Sequence, residues 1–212
     1  YDGNSTITVN AGASVAGVIT LGGGSDDLIF DGGDFSAVTQ FDGGTDSDSL
    51  TFRNVTGTVA SSSITGMEST VIGTGATLSF SDNQTPGNVT VTNGGTLNSL
   101  AGATLVNSGA LDISNGGTLG LRTGSLFDNS AGTVNNNAGG VIDAEIDLAL
   151  AGTVNLNSGS TLNSSAILTN QIGRIQANSG AIVNQTGGTL LNLGTIDNQS
   201  GGSLTNQSGG SL

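Results

Sequence analysis

Aliphatic residues return about every seven positions through Asn93–Leu212, each time inside the same short phrase of small residues. Gly95-Thr-Leu97-Asn98, Gly152-Thr-Val154-Asn155 and Gly202-Ser-Leu204-Thr-Asn206 are three of its forms. Seven residues hold one short strand and a tight turn, and are too few for a helix and its connection. Taken in threes, the aliphatics give a period of 20–23 residues and three columns. The first is Leu97, Leu119, Ile142, Leu162, Ile182, Leu204; the second is Leu105, Leu126, Leu148, Leu168, Leu190, Leu212. The third is Leu111, Val134, Val154, Ile175, Ile196. Either member of Ile146/Leu148 and of Ile167/Leu168 satisfies its column. Stacking each column at the ~4.8 Å spacing of neighbouring strands builds a parallel β-solenoid with about three strands per coil.

Composition fits a narrow interior. A chain with six Phe, one Tyr and 37 Gly lacks the material for a thick globular core, whereas a solenoid buries only a few aliphatics per coil. Frequent glycine also disfavours helix, at ~1 kcal/mol per residue. Sixteen acids against Arg53, Arg122 and Arg174 give a net charge of −13, a surface that repels nucleic-acid phosphates and anionic lipid. No apolar run approaches the ~20 residues of a membrane-spanning helix, and the absence of cysteine excludes disulfides and thiolate metal sites.

The order along the chain suggests one solenoid, 1–212, with an internal seam. Coils 1–80 are acidic and hold five of the six Phe; Ser81–Gly87, with Pro86, reads as an enlarged turn within a seam at 81–92; Asn/Gly-rich coils fill 93–212. Asn107, Asn135, Asn155, Asn184 and Asn206 fall just outside the expected strands, where stacked amides form ladders or relax turns. A start at Tyr1 suggests removal of an upstream region, and the final Ser208–Leu212 stops mid-phrase without a cap. The expectation is therefore a longer chain, or ends that stack on one another.

The acidic turns carry the candidate site. Laying Gly22 over Gly43 places Asp27 on Asp48 and Ile29 on Leu50, an offset of 21 residues. Carboxylates stacked in this way repel unless solvated, protonated or bridged by a cation. Calcium on Asp26, Asp27, Asp46 and Asp48 is one reading, and solvated surface acids the other. For catalysis, Asp143, Glu145 and Asp147 alternate and are the carboxylates to weigh for glycoside hydrolysis; with no Lys or His a lyase base is missing. A flat threonine face would bind ice, but Thr96, Thr104, Thr118, Thr133, Thr153, Thr161 and Thr189 form a broken grid.

Phe41-Asp-Gly-Gly-Thr-Asp-Ser-Asp-Ser-Leu-Thr-Phe52 resembles a phrase common in passenger regions of bacterial autotransporters and related adhesins. Ser63-Ile-Thr-Gly-Met-Glu68 and Gly75-Ala-Thr-Leu-Ser-Phe80 resemble the phrases that follow it. The Asn/Gly repeats after residue 93 are similar to those of filamentous-haemagglutinin-type adhesins. The resemblance implies a right-handed parallel β-helix and an extracellular, cell-surface protein of adhesive or biofilm role. Its adhesive role implies a host-surface or glycan ligand; the missing lyase base and the lack of aromatics beside Asp143, Glu145 and Asp147 point to no enzyme, and the uncapped end points to association end to end. The same turns resemble the calcium-binding repeat of RTX proteins at Gly22, Gly23, Asp27, Ile29 and at Gly43, Gly44, Asp48, Leu50, with Ser25 and Asp46 replacing a glycine. That likeness implies a calcium-stabilised extracellular fibre as the alternative function.

Overall fold

In this computed structural model the described residues are 3–59, 64–150, 152–170, 175–178, 180–185, 189–192 and 195–212. They form a parallel β-solenoid of about nine turns, all β and without helix. One sheet runs through ten coils, from Thr6–Asn10 to Thr195–Asn198, each strand bonded to the equivalent strand of the next coil. A second, eight-stranded sheet runs from Thr56–Val59 to Ser203–Asn206. The third face is discontinuous. Its pieces are Ser14–Gly22/Asp34–Gly44/Ile64–Thr65, then Thr104–Val106/Leu126–Asp128, then Leu148–Leu150/Ile167–Asn170/Thr189–Asn192.

Strands of three to five residues suffice because alternate side chains enter the interior and meet their copies one coil away. The first expected column is observed whole: Leu97, Leu119, Ile142, Leu162, Ile182 and Leu204 are successive register partners. The other two need one correction each. Leu105 is paired with Phe127, while Leu126 pairs with Thr104 and stands 64% exposed. Ile196 is paired with Gln176, and Ile175 with Thr195. Of the ambiguous pairs, Ile146 and Leu148 are both buried, whereas Leu168 is buried and Ile167 exposed.

The first two coils depart from three strands per turn. Each has two, the second being a long strand, Ser14–Gly22 or Asp34–Gly44, with irregular register between them. Large side chains fill the interior there. Phe30, Phe35, Phe41 and Phe52 pack as one cluster, with ring centroids 5.0–6.3 Å apart. Such contacts add ~0.5–1.5 kcal/mol per pair beyond burial.

Later coils solve their corners with asparagine. Asn136 and Asn178 end strands of the first sheet, Asn184 ends one of the second, and Asn107 and Asn129 follow strands of the third face. All five are buried. Each side-chain amide donates across the bend to the carbonyl opening a strand of the next coil: Thr161, Ser203, Ser211, Thr133 and Thr153, at 2.7–3.2 Å. Each of these buried side-chain amides thereby has an acceptor, and leaving it unbonded would cost ~1–3 kcal/mol. Amide ladders are present as well, Asn107–Asn129 and Asn184–Asn206 at 2.7 Å and Asn135–Asn155 at 2.8 Å. Asn135, Asn155, Asn184 and Asn206 lie within strands rather than just outside them.

The seam at 81–92 leaves two faces intact. Ser69–Ile72 pairs with Asn88–Val91, and Thr77–Phe80 with Thr96–Ser99. Only the third face loses its strand, where Gln84 alone bridges to Leu105.

Candidate functional site

The acidic turns stack at an offset of 22 rather than 21 residues. Gly22 pairs with Gly44, Leu28 with Leu50, Ile29 with Thr51 and Phe30 with Phe52. Asp27 therefore faces Ser49, whose hydroxyl donates to it, and its neighbour Asp26 belongs with Asp48. The shift arises because Gly22 and Gly44 hold the two turns in contact, both at left-handed φ, 107° and 101°. A Cβ at Gly44 would overlap the carbonyl of Gly22, so only glycine permits this stacking.

Three carboxylates form a single file. Ser5 N–H donates to Asp26 Oδ1 at 2.7 Å, Asp26 N–H to Asp48 Oδ1 at 2.8 Å, and Asp48 N–H to Glu68 Oε2 at 2.7 Å. Each acid thus accepts the main-chain amide of the coil before it. Glu68 was not among the expected site residues, although it follows Asp48 by one coil length. Asp46 points elsewhere, accepting the Gly24 N–H at 3.2 Å, and is exposed like Asp27.

Asp26 and Asp48 are 2% and 1% exposed, and the second oxygen of each, Oδ2, is buried without a hydrogen-bond partner. Burial, followed by the charges of Asp26, Glu68 and Asp46, pushes the Asp48 carboxyl above its ordinary range, against the pull of the Asp26 N–H. Among the described residues no three acids converge to hold a metal ion. Either a proton or a cation would answer the unpartnered Oδ2 of Asp48.

The pH consequence follows from linkage. Where a folded-state pKa is raised, the native state binds the extra proton, so stability falls as pH climbs from the ordinary carboxylate pKa through the raised one. Below the ordinary value the penalty is absent; above the raised value it is complete. Asp48→Asn, which retains the Oδ1 acceptor, is expected to melt about 2–4 °C above the parent at pH 7. It is expected to match the parent in acid, checked by thermal melts across the carboxylate range. Calcium added to chelator-treated protein is expected to leave the melting temperature unchanged, and a rise would identify a cation as the occupant instead.

The acids weighed for hydrolysis are engaged otherwise. Arg122 Nη1 lies 2.8 Å from Asp143 Oδ2 and 3.0 Å from Glu145 Oε1, and Arg122 Nε donates to Asn98 at 3.2 Å. The Thr123 N–H foremost, and then Arg122, hold the Glu145 carboxyl below its usual range. Asp147 accepts the Ile167 N–H at 3.1 Å. The strand ends at Ala144, so the three acids do not share one strand face as the alternation suggested. Arg174 lies outside the described residues. On the second sheet Thr56, Thr77, Thr96 and Thr118 stack in line, then Val141 interrupts them.

The described chain is a β-solenoid repeat protein.

Comparison with known protein families, curated proteins and solved structures yields no match. Among the described residues no helix is long and apolar enough to cross a membrane.

Proposed function

We propose that this protein is a non-enzymatic, extracellular structural or adhesive element, a stiff rod of a bacterial surface stalk or filament of the autotransporter or haemagglutinin type. The ten-coil ladder of the first sheet carries the reading. At ~4.8 Å per coil its nine steps span about 43 Å with no break among the described strands. The rod's task in this proposal is mechanical: it holds turns at fixed spacing away from a cell. Engagement of Asp143 and Glu145 by Arg122 supports a role without hydrolysis. The partner proposed for the exposed Leu204 and Leu212, 40% and 73% exposed, is a like coil from another copy.

Beads coated with the folded protein are expected to adhere to host cells or abiotic surfaces more than beads coated with heat-denatured protein. Electron micrographs of the same preparation should show straight rods or fibres. Equal adhesion by both coatings, or release of sugars from polysaccharide by the purified protein, would remove the proposal.

A further inference from the structure

Two corners of the rod carry Asn-Gly. Thr92-Asn93-Gly94-Gly95 joins Asn88–Val91 of the first sheet to Thr96–Ser99 of the second, and Ser114-Asn115-Gly116-Gly117 makes the same connection one coil later. Each is closed by a main-chain bond, Gly95 N–H to Thr92 O at 2.9 Å and Gly117 N–H to Ser114 O at 2.8 Å. Both central residues have left-handed φ, 52° and 78° in the first turn and 49° and 81° in the second. This is the type I′ form that Asn-Gly favours. In sequence and backbone the two corners are near copies.

Their hydrogen bonding differs. At the later corner Asn115 N–H donates to Ala138 O at 2.9 Å and Gly116 N–H to Gly139 O at 3.0 Å, so the next coil holds the turn. At the earlier corner neither Asn93 N–H nor Gly94 N–H has a main-chain acceptor among the described residues. Nothing lies within 4 Å of where a Gly94 Cβ would sit. Exposure does not separate the corners, since Asn93, Gly94, Asn115 and Gly116 are all exposed.

An asparagine followed by glycine can close on itself. The nitrogen of the next peptide bonds to the side-chain Cγ, the Cγ–NH2 bond breaks, and ammonia leaves with the proton that nitrogen carried. Water then opens the five-membered imide at either carbonyl, giving aspartate or β-linked isoaspartate. Glycine favours closure because it puts no side chain in the way. Within a fold the Asn–Gly peptide must also rotate out of its turn, and its N–H must give up any acceptor.

We propose that Asn93 is a self-modification site, converted to aspartate and isoaspartate in the folded rod while Asn115 is protected. Rotating the 93–94 peptide breaks no bond to a neighbouring coil, whereas rotating the 115–116 peptide must release Gly139 O. The product adds a negative charge at the corner between the two long sheets, and in its β-linked form lengthens the main chain there by a methylene. Thr92 Oγ1 lies 3.1 Å from Ser114 Oγ, so the next coil is the first to feel the altered corner.

The test is to hold the intact protein at physiological temperature and neutral pH and follow both asparagines by mass spectrometry. They share the tryptic peptide between Arg53 and Arg122, and fragment ions assign the amide-to-acid mass change to each. Asn93 is expected to convert about tenfold faster than Asn115, the ratio set by one hydrogen bond of ~1.4 kcal/mol. In urea the two should convert at equal rates, because their local sequences match. Gly94→Ala should slow conversion at Asn93 with little change in melting temperature. Hydroxylamine, which cleaves the imide, should cut the native protein after Asn93 and spare Asn115, an answer that needs no variant. An unchanged Asn93 in the folded protein, equal rates at the two sites before unfolding, or unequal rates in urea would overturn the proposal.

Discussion

Gly44→Ala is expected to unfold the acidic coils while leaving the Asn-rich coils folded. Two costs add at this position. At φ 101° an L side chain costs ~1–3 kcal/mol in backbone strain. The new methyl also meets the Gly22 carbonyl, part of the backbone, so no rotamer change relieves the overlap. The sum is on the order of 3–5 kcal/mol, the range of severe single substitutions. Solenoid coils derive their stability from their neighbours, so the damage should spread to the flanking turns first. Hydrogen exchange is expected to show lost protection in Asp27–Asp31 and Ser49–Arg53, with Thr118–Leu121 and Thr161–Ser164 still protected. Gly12→Ala is the control: φ is 84° there, but nothing lies within 4 Å of the added carbon, and its cost should stay near 1 kcal/mol. Equal melting temperatures for the two variants would contradict the stacked-turn account.

Phe52→Ala is expected to cost about 3–5 kcal/mol. Its ring is fully buried and touches Phe30, Phe35 and Phe41, at centroid distances of 5.8, 5.0 and 6.0 Å. Phe52 lies in the third coil and the three rings it meets lie in the second, whose long strand Asp34–Gly44 keeps an irregular register with the strand before it. Phe52→Leu keeps most of the volume and should cost less than half as much. Urea denaturation followed by circular dichroism distinguishes the two, and similar midpoints would show that the cluster is not load-sharing.

Stacking was legible in the sequence where each coil offers one aliphatic in an unambiguous phrase, as with Leu97, Leu119 and Ile142. It failed where two apolar residues adjoin. Leu126-Phe127 gives two candidates for one inward position, and a register shift of one residue exchanges inside for outside. Nothing local marks Phe127 as the choice. The pairing of Ile196 with Gln176 escaped for the opposite reason, since only apolar residues are sought at that register position. The same search passed over two corner asparagines, Asn136 and Asn178, because nothing in the sequence marks the carbonyls they bond. In the acidic turns, spacing brought out the right motif and the wrong partners. Coil length changes from 21 residues between Ser5 and Asp26 to 22 between Asp26 and Asp48 and 20 between Asp48 and Glu68, so a fixed offset joined Asp27 to Asp48 and missed Glu68.

One unbroken sheet opposite a face with two interruptions makes this shaft behave as a leaf spring. Tension along the axis passes from coil to coil in series, and within each step the hydrogen bonds joining two coils share the load. Flexure that widens the gaps beside Thr65 and Asp128 meets few bonds, while flexure in the perpendicular plane must stretch complete ladders. A rod with this cross-section bends more easily in one plane than in the other.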